Sequence, residues 1–211
     1  MPGKQNKPAS VFLNIPYDKR FQNLYLAYIA GISAFGMVPR ATLEIPGGTR
    51  RLERIFSLIK SCQYSVHDLS RVQLDRNPPV TPRFNMPFEL GLSVAWEALH
   101  RREHTWFVFE TKHRRVSKSL SDLDGTDIYI HGGSIDGVFR EFGNAFVRTA
   151  AQPSFPQMHR ILRKLRTELP SILRNAGART VFEARAFKEI SVAVRLIAYT
   201  QTASPLPQVR S

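Results

Sequence analysis

Cysteine is nearly absent, with Cys62 the only one in 211 residues. A single thiol excludes an internal disulfide and fits a reducing cytoplasm, where we expect the protein to reside. It also cannot build a thiolate zinc site, and neither a metal nor a cofactor is expected. No run of about 18 or more apolar residues occurs, so no segment is expected to span a membrane. The opening residues MPGKQNKPAS have no apolar stretch of the kind a secretory signal needs. A glycine-rich phosphate cradle is missing too. "NIPYDKRF" follows the first apolar run where a dinucleotide-binding fold would place G-x-G-x-x-G, which argues against a conventional nicotinamide or flavin dinucleotide site.

Acidic residues are also scarce. Seventeen Asp and Glu stand against thirty Lys and Arg, a net charge of +13. From Pro156 onward ten Lys and Arg face three Glu, so the last quarter of the chain supplies +7 of that excess. Such a surface attracts anionic ligands or partners. Nucleic acid as a partner rests on this charge alone, because no recognition motif accompanies it.

What is present is an alternation of short apolar runs and amphipathic segments. "SVFLNI" (10–15), "GMVPRAT" (36–42), "YSVHDLS" (64–70), "TWFVFE" (105–110) and "DIYIH" (127–131) read as strands. Helical spacing marks 21–34, 49–61, 87–99 and 134–149. This pattern predicts a flavodoxin-like, doubly wound parallel sheet of five strands in the order 2-1-3-4-5 over residues 10–150. A flexible basic leader (1–9) is expected before it. After it come a helical extension (151–200), with one helix ending near Pro170, and a disordered tail (201–211). The extension either caps the α/β core or forms an oligomer interface. The helix Pro87–Leu99 is apolar nearly all round, which suggests burial between the sheet and a second subunit.

Open sheets of this order bind ligands beyond the carboxyl ends of the strands, where the strand order reverses. Asn14, Tyr17 and Asp18 leave the first strand there, and Asp68 ends the third. Glu89 opens the following helix as the only carboxylate between Asp75 and Glu97. It sits among Met86, Pro87, Phe88 and Leu90, where an ionised acid is expensive. Carboxylates in different environments can divide the work of trapping an oxocarbenium ion and protonating a leaving group. Phe84 and Phe88 can stack on a base. Arg40, Arg71 and Arg83 can hold a phosphate. Blander readings stand beside these: Glu89 as complement to a helix N-terminus, Asp68 as a turn residue, Asn85 as a helix cap, His67 as a satisfied core histidine, and Gly47-Gly48 as a turn rather than an anion nest.

"VFLNIPYD", "HDLS" and "FELGLSVA", in this order and spacing over residues 10–147, resemble the core motifs of the nucleoside 2-deoxyribosyltransferase-like and TIR-like superfamily. The chain looks especially like a bacterial group carrying "HDLSR" followed by "RFNMPFELG". The resemblance implies that Glu89 is the nucleophile that attacks the anomeric carbon. Asp68 would then hold and protonate the base, and Tyr17 would orient the nucleophile. It implies a nucleoside, nucleotide or NAD-like substrate. From their residue types and their places about the crevice, Asn14, Asp18, Arg40, Arg71, Arg83, Phe84, Asn85 and Phe88 are expected to contact it, and the apolar helix makes a homo-oligomer the expected state. Where family members often carry a further aspartate before the glutamate, this chain has Arg83-Phe84-Asn85. The alternative expectation is a non-catalytic, nucleotide-sensing effector or interaction module.

Overall fold

A computed structural model describes residues 7–44, 50–72, 74–75, 78–101 and 103–203. Gly47-Gly48, most of the leader and most of the tail lie outside the described residues. The central sheet is formed by β1 (Ser10–Asn14), β2 (Val38–Arg40), β3 (Tyr64–Asp68), β6 (Thr105–Glu110) and β7 (Ile128–Ile130). Its order is β2-β1-β3-β6-β7 with every neighbouring pair parallel, which is 2-1-3-4-5 when only these strands are counted. Pro39 is tolerated because β2 is an edge strand, where a missing N–H costs no ladder bond on the open side. Two further strands, β4 (Leu74–Asp75) and β5 (Thr81–Pro82), pair antiparallel within the proline-rich loop.

The helices α1 (Gln22–Ala34) and α5 (Ile135–Ala145) cover one face of the sheet. The other face is covered by α2 (Arg51–Ser61), α3 (Asn85–Leu99) and the short α4 (Arg115–Ser119). Strand alternation sorts the side chains accordingly. Val11, Leu13 and Val66 join the large core under α1, whereas Phe12 packs with Ile55, Leu58 and Ile59 of α2.

The C-terminal helices α6 (Phe155–Ala176) and α7 (Ala184–Ala203) form a further layer over α1. This layer accounts for the composition of α1, which is buried without a break from Tyr25 to Ala34. A helix apolar on all sides needs a cover on the side away from the sheet. Met158, Ile161, Leu162, Leu165, Ile190 and Val194 provide it, and the Tyr25 hydroxyl donates to the Val181 carbonyl at 3.1 Å. The helix expected to end near Pro170 continues to Ala176. Pro170 lies on its exposed side, so the carbonyl freed of its helical bond can meet water. Ile172 and Ala176 meanwhile continue the buried stripe. In the single chain α3 is only partly covered, with Phe88 54% and Leu99 79% exposed.

At Gly31, α1 passes close to α5. A Cβ built there meets two Phe142 ring atoms at 2.6 Å, and that ring is fully buried among aromatic neighbours. Overpacking outweighs the roughly 0.5–1 kcal/mol that alanine adds to helix stability. Gly31→Ala is expected to destabilise by about 1–3 kcal/mol. Gly91→Ala, at an exposed position of α3 with nothing within 4 Å of the new methyl, should be neutral or stabilising. Urea midpoints of the two variants check the contrast.

Candidate active site

A cavity of about 190 Å³ opens at the carboxyl edge of the sheet beside β1. Asn14 ends β1, and Ile15, Pro16 and Tyr17 continue into the loop toward α1. Thr42 enters from the short 3-10 turn after β2, and Arg51 is the first residue of α2. Arg83, Asn85, Met86 and Glu89 come from the segment opening α3. Asn85 is the first helical residue rather than the cap, which is Phe84.

Glu89 is 4% exposed, and among the described residues it makes no hydrogen bond or ion pair. Burial pushes its carboxyl up to about 7, with the positive charge of Arg51 acting in the opposite direction. Tyr17 is raised well above the ordinary phenol range. Burial is the largest cause, a hydrogen bond with Thr42 opposes it, and the negative charge of Glu89 adds to it. The Tyr17 hydroxyl therefore keeps its proton and donates to the Leu13 carbonyl at 3.1 Å. Its ring packs against Tyr25 and Phe182, so the helical extension helps to seat it. Phe84 and Phe88, 70% and 54% exposed, flank the cavity residues in sequence.

The other expected site residues go elsewhere. Asp68 does not line the cavity: it is fully buried, facing α1 and α5. Its carboxylate accepts from the Tyr28 hydroxyl at 2.8 Å and the Ser70 amide at 2.8 Å, with His131 Nε2 at 3.2 Å. Asp18 accepts from the Arg20 and Phe21 amides and pairs with Arg71 at 3.2 Å, stitching the loops after β1 and β3. Arg40 pairs with Glu44 at 2.7 Å. The expected convergence of Asp68 with Tyr17 and Glu89 is thus corrected to Asn14, Tyr17 and Glu89, joined by Arg51, Thr42, Arg83 and Asn85. Arg51 and Thr42 were not anticipated. The one signal for Arg51 was its place at the start of α2, beyond the carboxyl end of β2.

Two other arrangements can be set aside. Ser70, His131 and Asp68 are not a nucleophilic triad. Ser70 Oγ and Asp68 both face Nε2, at 3.1 and 3.2 Å, while Nδ1 accepts from the Gly133 amide. The cluster serves the scaffold, and α5 is pressed against it so closely that a Cβ on Gly137 would lie 1.9 Å from the His131 carbonyl oxygen. His100 and His104 are four residues apart, the spacing of a metal-binding pair on a helix, but α3 ends at Leu99, before both. His100 stacks on Trp96, and both ring nitrogens of His104 are occupied inside the core.

Comparison with protein-family models, with curated proteins and with solved structures finds no match. The fold and cavity define the class directly: an α/β protein of flavodoxin-like topology with a buried carboxyl at the strand-order reversal. Among the described residues no helix is long and apolar enough to cross a membrane.

The raised acidity constant of Glu89 has a consequence for stability. Between about 4.5 and about 7 the native state binds more protons at this group than the unfolded chain, so stability falls as pH rises through that window. Glu89→Gln removes the effect. The variant should match the parent near pH 4.5 and exceed it at pH 8 by on the order of 3 kcal/mol. Urea unfolding at the two pH values checks this.

Proposed function

We propose that the chain cleaves or transfers the N-glycosidic bond of a nucleoside, nucleotide or NAD-like substrate, with Glu89 as nucleophile. The observation that carries this reading is a carboxyl with no hydrogen-bond or ion-pair partner among the described residues, buried in an apolar helix and facing a cavity where parallel sheets of this order bind ligands. Ionised Glu89 attacks the anomeric carbon. The new C–O bond forms as the C–N bond breaks, and its electron pair leaves with the base. Water or an acceptor base then displaces the carboxylate from the glycosyl intermediate. Oxocarbenium character develops in both steps, and a carboxylate held in a poorly solvated pocket stabilises it.

The remaining cavity residues fit supporting roles. Tyr17 stays protonated beside Glu89 with its hydrogen on the Leu13 carbonyl, so its oxygen can accept from a sugar hydroxyl. Arg51 and Arg83 at the cavity suit a phosphate. Phe84 and Phe88 offer faces for a base. Asp68 has no part in this chemistry, because its carboxylate is committed inside the core.

Incubation with NAD and a panel of nucleosides and nucleotides, followed by chromatographic resolution of released base, tests the reading. The parent should release base, and Glu89→Gln should lose at least about a thousandfold in rate. Because the attacking form is the carboxylate, the rate should fall on the acid side with a midpoint near 7. Equal release by Glu89→Gln overturns the mechanism. Ligand-induced thermal stabilisation without release would instead assign the cavity to a nucleotide-sensing module.

A further inference from the structure

A chain of buried polar groups runs through the core behind the cavity, and the chemistry above makes no use of it. His104 Nδ1 donates to the Cys62 carbonyl at 2.8 Å, and His104 Nε2 lies 2.9 Å from Ser65 Oγ. Ser65 Oγ is 2.9 Å from His67 Nε2, and His67 Nδ1 is 2.9 Å from Asn14 Nδ2. Asn14 Nδ2 also donates to the Met86 carbonyl at 2.9 Å. Asn14 is 5% exposed, Ser65 and His67 are fully buried, and His104 is 2% exposed. Four polar side chains in a core are tolerable only when they pair with one another, and here every link of the chain is made.

The backbone carbonyls at the two ends fix every proton between them. Met86 can only accept, so Asn14 must turn its NH₂ toward it rather than its oxygen. The second amide hydrogen then points to His67 Nδ1, which accepts and leaves the imidazole proton on Nε2. That proton goes to Ser65 Oγ, and the Ser65 hydroxyl donates to His104 Nε2. Both rings are neutral, as burial dictates: it depresses His67 to about 3, with help from His104, and lowers His104 as well. The chain is a strut rather than a proton relay.

Its free end matters most. Both amide hydrogens of Asn14 are spent inside the strut, so Oδ1 is the group Asn14 can offer to the cavity it lines. A fixed acceptor beside the nucleophile selects a hydroxyl donor. In glycoside chemistry the hydrogen bond to the hydroxyl next to the anomeric carbon strengthens as the oxocarbenium ion forms. The volume, below the roughly 300–1,000 Å³ typical of sites for drug-sized ligands, suits a sugar ring with its base outside. We propose that Asn14 Oδ1 accepts from the 2-hydroxyl of a ribose ring, so that the substrates are ribosyl rather than 2-deoxyribosyl compounds. His67, Ser65 and His104 are positioning residues for that acceptor. This rests on the glycosidic reading of Glu89.

The test separates the two ideas. Glu89→Gln protein, which holds ligand without turnover, is titrated calorimetrically with adenosine, 2′-deoxyadenosine, 3′-deoxyadenosine and their 5′-monophosphates. Base release by the parent is followed on the same panel. The ribo compounds and their 3′-deoxy analogues should bind at least about tenfold more tightly than the 2′-deoxy compounds, the difference expected for one hydrogen bond. In His67→Phe the kcat/KM for ribo substrates should fall at least about tenfold, with kcat falling as well as KM rising, and the ribo-to-deoxy ratio should approach one. Ser65→Ala, a smaller change, reports the same ratio if His67→Phe does not fold. A purely structural role would lower Tm and leave the ratio intact, which overturns the proposal, as does equal affinity for ribo and 2′-deoxy compounds. Ribo preference in binding without base release supports Asn14 as the selector and refutes the glycosidic reading; no binding by any compound refutes both.

Discussion

Asn14 stands opposite His67 in the parallel ladder between β1 and β3, and the polar layout of the molecule depends on that pairing. Alternation then puts Phe12, Asn14, Ser65 and His67 on the face covered by α2 and α3. It puts Leu13, Val66 and Asp68 on the face covered by α1. A register shift of one residue in either strand would exchange the two sets. The crossovers do the rest. The chain steps outward from β1 to β2 in one direction and from β3 to β6 in the other. With right-handed connections α1 and α3 must therefore lie on opposite faces. Glu89 rides on α3 and lines the same cavity as Asn14, whereas Asp68 meets Tyr28 of α1.

This explains what was legible in the sequence. The five sheet strands, the three helices between them at 21–34, 49–61 and 87–99, and the helix after the last strand follow from apolar periodicity, and their boundaries agree within a few residues; the short α4 lies in a polar stretch with no such signal. Glu89, Tyr17 and Asn14 were legible because the carboxyl edge of β1 and the start of α3 are fixed by topology. Asp68 is close to the crevice along the chain, but strand alternation turns it to the face opposite His67 and away from the cavity. Arg40 and Arg71 are a different case: a single sequence does not show that Glu44 and Asp18 lie within reach to neutralise them. Arg51 depends on the course of the segment after β2, which carries no periodicity.

The C-terminal helices tie the fold to the site. They cover α1, whose unbroken burial leaves no outward polar face. Phe182, in the turn between α6 and α7, touches both Tyr25 and Tyr17. A ring held on two sides keeps its hydroxyl in place at little entropic cost when a ligand arrives. The extension thus acts on the cavity through packing, even though its most conspicuous sequence feature is charge. The basic side chains Arg160, Arg163 and Lys164 point outward from α6, opposite the stripe that packs on α1.

The distribution of charge around Glu89 is the remaining constraint. A buried carboxyl can be relieved by protonation, by an ion pair, or by a ligand that shares its charge. The fold places several arginines along the carboxyl edge of the sheet yet engages them with other acids. Arg71 goes to Asp18, Arg40 to Glu44, and Arg115 to Glu110. Only the field of Arg51 opposes the burial of Glu89, and it does so incompletely. A tight ion pair would have settled the carboxylate and made the helix more stable at neutral pH, but it would also have blunted the group as a nucleophile. Leaving it unpaired keeps its ionisation near neutrality, where modest changes in the cavity move it between forms. In the proposed reaction a cationic transition state supplies the countercharge, so the electrostatic cost of burying Glu89 favours the step.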